Sequence, residues 1–229
     1  MALRPIEVRR LGLVRYADAL DLQKQLVEDR KADRIPDQLL LLQHPPVITL
    51  GVKSRGDRSH VLAAPAALAR AGVELFETGR GGDVTYHGPG QLVGYPIVDL
   101  RPDRCDVHRY VRDLEEVLIA TARAFGVTAA RVPGLTGAWV GDRKLAAIGV
   151  RIARWITSHG FAFNVATDLD HFKLIVPCGI TDKGVTSLDE LTGRRIPMQS
   201  VEDAAIDAFS ALFDRAPTSV ADAPAKAHH

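Results

Sequence analysis

The densest run of residues able to do chemistry is Arg80-Gly81-Gly82-Asp83-Val84-Thr85-Tyr86-His87-Gly88-Pro89-Gly90-Gln91. Glycine has no Cβ, so glycine clusters on both sides of a short β-like run let backbone come close to a ligand. Arg80 supplies a fixed cation, and His87 supplies a hydrogen-bonding imidazole at the strand end. The same letters also fit a plain hairpin closed by a Gly-Pro-Gly turn with no ligand, and both readings stand at this level. The run is not a dinucleotide fingerprint, because Gly88-x-Gly90-x-x-x-Gly94 has the wrong spacing and leads into a strand. No phosphate-binding P-loop occurs.

Cys178 lies in Val176-Pro177-Cys178-Gly179-Ile180. Proline before it and glycine after it place the thiol in a constrained loop, where it is a nucleophile if its thiolate is stabilised and an inert core residue if not. Cys105, between Arg104 and Asp106 just ahead of a helical stretch, reads as structural. Lys144 begins the apolar run Leu145-Ala146-Ala147-Ile148-Gly149-Val150. A lysine there is either an ordinary solvated strand end or, where burial or a neighbouring cation lowers its pKa, a usable base. In His159-Gly160-Phe161-Ala162-Phe163-Asn164 small and aromatic residues alternate, which suits an apolar slot or plain core packing. His87, His159 and His171 show no zinc-ligand spacing, so no metal and no cofactor is expected.

The elements that must position these residues are legible in outline. Val107, Tyr110, Val111, Leu114, Val117, Leu118 and Phe125 form a helical stripe, with Asp106 placed to cap it and Gly126 to end it. Residues 201–214 repeat the pattern, with Ser200 and Asp203 spaced as a capping box. A less regular helix is expected over 17–31. Strands are expected over 38–43, 47–52, 73–77, 83–87, 91–99, 144–151 and 161–165, and Gly141-Asp142 is placed to turn a hairpin. Strands clustered in the middle with helices at irregular intervals predict an α+β fold: a mixed β-sheet core flanked by helices. Residues 1–215 read as one catalytic domain, and the Ala- and Pro-rich residues 216–229 as a disordered tail.

The chain has 229 residues, 46% of them hydrophobic and 25% charged, which excludes disordered, collagenous and disulfide-scaffold proteins. Lys plus Arg is 29 and Asp plus Glu is 28, a net charge of +1 without the field of a general nucleic-acid binder. No apolar run approaches the ~18 residues of a membrane span, and no signal-peptide segment is visible. A cytoplasmic protein with free thiols is expected, with no nucleic-acid or membrane partner.

Residues 80–100, then Lys144 through Arg151, His159 through Ala162 and Pro177 through Ile180, together resemble the lipoyl(octanoyl) transferases, as does His44-Pro45-Pro46-Val47-Ile48-Thr49-Leu50-Gly51. The similarity spans roughly residues 6–214. Ile48 departs from the family's aromatic, a change expected to alter the pocket lining, and Leu145 and Phe163 are milder departures. The resemblance implies the biotin/lipoate protein ligase type of α+β fold. It implies transfer of octanoyl from acyl carrier protein to a lysine of a lipoyl domain, in 2-oxoacid dehydrogenase complexes and the glycine cleavage H protein. By this resemblance Cys178 is the acyl-accepting nucleophile and Lys144 its partner. Arg80, Gly81, Gly82, Asp83, Val84, Thr85, Tyr86, His87, Ala147, Ile148, Gly149, Gly160, Phe161 and Ala162 then line the substrate. The alternatives are an ATP-dependent lipoate or biotin ligase, or a non-catalytic acyl-carrier binding protein. A further expectation is that Arg143, Lys144, Arg151 and Arg154 attract an acidic carrier, with Arg143 and Arg151 on one strand face by parity.

Overall fold

The computed structural model describes residues 3–219 except 177–182. Strand β1 (Arg4–Leu13) leads through helix α1 (Tyr16–Lys31) to β2 (Asp37–Gln43), which lies parallel to β1. Strand β3 (Val47–Leu50), helix α2 (Pro65–Arg70), β4 (Glu74–Glu77) and β5 (Val84–His87) follow. Then come β6 (Gln91–Ile97), α3 (Val107–Arg123), β7 (Ala130–Val132), β8 (Leu135–Val140), β9 (Arg143–Ala153) and β10 (Ile156–Asn164). After 177–182 lie β11 (Gly184–Val185), α4 (Leu188–Thr192), α5 (Met198–Phe213) and β12 (Arg215–Ser219). The large sheet has the order β12-β1-β2-β6-β10-β9-β8-β7, with β11 added on β9, and β4-β3-β5 form a small second sheet. Parallel and antiparallel pairs mix in the large sheet, which is the expected α+β architecture.

Four leucines in a row, Leu39 to Leu42, belong to a strand buried on both faces. Leu39 and Leu41 join the core under α3 and α5, and Leu40 and Leu42 join the core under α1. Each buried leucine contributes roughly 1.5–3 kcal/mol, so β2 anchors both layers. Helix α3 follows its stripe, with Asp106 accepting from Arg109 N at 3.0 Å and Gly126 at φ +79° just beyond its end. Helix α5 begins earlier than expected, at Met198 after Pro197, so the Ser200–Asp203 capping box does not form. Asp203 instead pairs with Arg10 of β1.

Strand β12 pairs in parallel with β1 and takes in residues 216–219, which were expected to belong to the tail. A long-range salt bridge holds it, with Arg215 Nε 2.8 Å from buried Asp37, which Arg30 also reaches at 2.8 Å. No helix among the described residues is long and apolar enough to cross a membrane.

Candidate functional site

A cavity of about 540 Å³ opens between the small sheet and the β9–β10 pair of the large one. Its walls include Arg80, Gly81, Gly82, Asp83, Val84, Thr85, His87, Lys144, Ala147, Ile148, Gly149, Gly160, Phe161 and Ala162. That volume lies within the range of small-molecule sites, about 300–1,000 Å³.

Lys144 reaches this cavity through an irregularity in β9. Ala138 pairs with Ala146, but the next residue, Trp139, pairs with Lys144, so Leu145 is an extra residue on β9. Such a bulge reverses the side-chain alternation. Leu145 and Ala146 both enter the core under α3 and α5, whereas Lys144, Ala147 and Gly149 line the cavity. The Lys144 Nζ sits 4.7 Å from the centre of the Trp139 ring, a cation–π contact that steadies the ammonium. On the other side of β9, Val185 of β11 pairs with Lys144, and Thr186 N donates to Lys144 O at 3.0 Å. The bulge also overturns the parity expectation: Arg143 is on the opposite phase from Arg151 and pairs with Glu190.

The glycine loop is built from inside by Arg80, which is buried. Its Nη2 donates to Thr49 O at 2.6 Å and to Thr49 Oγ1 at 2.9 Å, and its Nη1 donates to Gly81 O at 3.0 Å. The pairing of β9 with β8 ends at Ala146, and Gly81 N caps the open edge by donating to Val150 O at 2.8 Å. A Cβ on Gly149 would sit 2.9 Å from Gly81 O, and one on Gly160 would meet Gly94 O and sit 2.6 Å from Pro96 Cδ. These glycines are required by close backbone approach, whereas Ala147 presents its methyl to the cavity. Gly160→Ala is therefore expected to lower stability by about 1–3 kcal/mol and to impair every substrate equally. Ala147→Val should impair an eight-carbon acyl group more than a six-carbon one. Thermal unfolding and transfer rates with both chain lengths on one carrier check the pair.

A buried polar relay runs from the cavity wall toward Lys144. Gln91 Nε2 donates to Asn164 Oδ1 at 2.9 Å, leaving Gln91 Oε1 to accept from His87 Nδ1–H at 2.7 Å. Asn164 Nδ2 then donates to Thr186 O at 3.0 Å. His44 donates from Nδ1 to Val14 O at 2.7 Å and accepts from Tyr95 Oη at Nε2, 2.8 Å away. Burial, above all, pushes His87 down to about 3 and His44 and His159 down to about 4, so all three are neutral at pH 7.

His159 adopts φ +55°, rare for a residue with a Cβ, while its N–H donates to Gln23 Oε1 of α1 at 2.8 Å. Its ring meets Tyr95 edge-on at 6.3 Å and lines the cavity.

Of the expected lining, Tyr86 is placed elsewhere. It lies in the core of the small sheet, stacked on His171 at 4.9 Å. Ile48, Leu145 and Phe163 are also core residues away from the cavity, so these departures leave its lining unchanged. Cys178 lies outside the described residues. Cys105 is exposed, with Sγ 3.7 Å from Leu100 O. The structure adds Tyr16, Lys53, Gln91, Tyr95, His159 and Asn164 to the walls. Asn164 and His159 sit in the motif already singled out, but nothing local marks Tyr16 or Tyr95. Among the described residues no group of three or more His, Cys, Asp or Glu could hold a metal.

Residues 15–210 match the family described as the lipoyl protein ligase A/B catalytic domain. The chain belongs to this family. Within it, curated relatives that are similar over most of the chain carry the name octanoyltransferase. One from Solibacter usitatus (strain Ellin6076) is 54% identical, covering 90% of this chain and 92% of its own. One from Desulforamulus reducens is 47% identical, covering 94% of each. A third, from Myxococcus xanthus, is 52% identical over 91% of this chain, which spans 60% of that longer relative. Solved structures of the lipoyl protein ligase family share the fold at low identity. Lipoate-protein ligase A bound with ATP superposes with a TM-score of 0.72 at 16% identity, covering 97% of this chain and 90% of that one. The bi-partite lipoate protein ligase of Thermoplasma acidophilum gives 0.68 at 16%, covering 97% and 89%.

Proposed function

We propose that the chain is an octanoyltransferase of protein lipoylation, moving octanoyl from acyl carrier protein to a lipoyl-domain lysine through a thioester on Cys178. The observation that carries this reading is the amine of Lys144 on the cavity wall. It is flanked by the strand that resumes the chain after Cys178. Moving an acyl group between two carriers too large to sit together suits a covalent relay.

In the first half, Lys144 takes the Cys178 proton and the thiolate attacks the donor thioester carbonyl. The Lys144 ammonium stabilises the thiolate and the developing oxyanion. The carbon–sulfur bond to the carrier breaks, and the leaving thiolate takes the proton back. In the second half, the amine of the acceptor lysine attacks the new thioester, Cys178 leaves, and the Cys–Lys pair accepts the proton the amine sheds. The neutral histidines and apolar walls hold the chain without adding charge.

Intact mass after mixing with octanoyl acyl carrier protein tests the reading: one octanoyl group should be gained on Cys178 without ATP. A product that forms only with ATP would point to a ligase instead. Lys144→Ala should lower the rate of acyl-enzyme formation by about 10²–10⁴-fold. It should also move the iodoacetamide alkylation profile of Cys178 up toward the ordinary thiol value of ~8.5. An unchanged profile would show that the two groups do not interact.

A further inference from the structure

The loop from Gly51 to Leu62 spans the rim of the cavity. At one end Gly51 N donates to Asp83 O at 3.0 Å, Val52 N to Arg80 O at 3.0 Å and Lys53 N to Gly82 O at 3.1 Å. His60 Nδ1 lies 2.7 Å from Asp83 Oδ2. At the other end Leu62 N donates to Leu174 O at 2.9 Å and Val176 N to His60 O at 2.8 Å. The loop therefore joins the glycine loop to the segment that leads into Cys178.

Its outward side chains are basic. Lys53, Arg55 and Arg58 are exposed, Lys53 also lines the cavity, and none of the three has a carboxylate partner among the described residues. The loop's carboxylate, Asp57, accepts from Ser59 N at 2.8 Å in a local turn. Exposed Val52 and Leu62 flank the charges, at 47% and 62% accessibility. Much of the arginine elsewhere is committed within the chain: Arg10, Arg30, Arg34, Arg101, Arg131 and Arg143 each hold a carboxylate. Arg154, at the tip of the β9–β10 hairpin, lies ten residues along β9 from Lys144, about 33 Å of extended strand.

We infer that this loop docks the acyl donor, a carrier protein with an acidic face around its thioester-bearing arm. The inference rests on the octanoyl-transfer reading and names the surface that reading requires. With a net charge of +1 the whole molecule steers weakly. Screening beyond ~8 Å leaves only local charge to orient a partner, and here it borders the opening the acyl chain must enter. A donor landing there has its arm directed between the glycine loop and the segment before Cys178.

The test is the double variant Arg55→Glu with Arg58→Glu, which touches no cavity wall. Acyl-enzyme formation is followed by intact mass without acceptor, using octanoyl acyl carrier protein or the small neutral donor octanoyl-N-acetylcysteamine. The apparent KM for the carrier should rise about 10-fold at low salt, with the difference shrinking as salt is added. The rate with the neutral donor should not change. An unchanged KM for the carrier overturns the inference. So does a parallel loss with the neutral donor, or an equal rise from Arg154→Glu. An equal rise in the acceptor's KM during full turnover overturns the assignment to the donor. A native chain that gains octanoyl from neither donor overturns the transfer reading itself. Fluorescence anisotropy of labelled carrier against native and variant chains then still reads the surface.

Discussion

Cys178→Ala should remove at least about 10³-fold of octanoyl transfer while leaving the fold intact. A nucleophile that forms the covalent intermediate has no substitute once removed, and losses of that order or greater accompany such deletions. The chain's other thiol, Cys105, is exposed beside Leu100 O, outside the cavity lining, so Cys105→Ala should keep near-normal turnover. Peptide mapping of the octanoylated protein should find the adduct on Cys178 alone. Near-normal turnover of Cys178→Ala, or an adduct on Cys105, would overturn the relay.

The second large effect is on stability. His44, His87 and His159 are held neutral, at about 4, 3 and 4, while an unfolded chain would protonate them near 6.5. The unfolded state therefore binds more protons below pH 6.5. The stability these groups allow is fully present above that value and falls with pH until the folded-state values are reached. By pH 5 each group costs about 2 kcal/mol, a large share of the roughly 5–15 kcal/mol available to a domain. Urea midpoints should drop steeply between pH 7 and 5, and His159→Gln should flatten the slope. A midpoint constant across that range would show that the rings are not held neutral.

What was legible in the sequence is what local pattern controls. Leu39 to Leu42 announces a strand buried on both faces, and the α3 stripe with Asp106 marks its helix. The glycine-rich run does line a cavity. Contacts made across the chain were not legible. Arg215 looks like the edge of a tail until buried Asp37 is seen beside it. Tyr16, at the start of α1, and Tyr95, on β6, are anonymous until the fold brings them to His87 and His44. Gly160 looks like room for a ligand, but its neighbour is the backbone of β6. The basic loop from Lys53 to Arg58 reads as solvated charge until its two anchors place it on the rim.

The extra residue at Leu145 makes the reactive face of β9 a matter of counting. Many side chains along this strand can be exchanged by drift without moving the amine of Lys144. Lys144 and Ala147 are three residues apart, so flattening the bulge at the same length would put them on opposite faces and turn that amine toward the helices α3 and α5. Over a lineage, a strand one residue shorter would need no bulge, because Lys144 and Ala147 would then share a face by plain alternation. What β9 must inherit is the match between its length and its bulge.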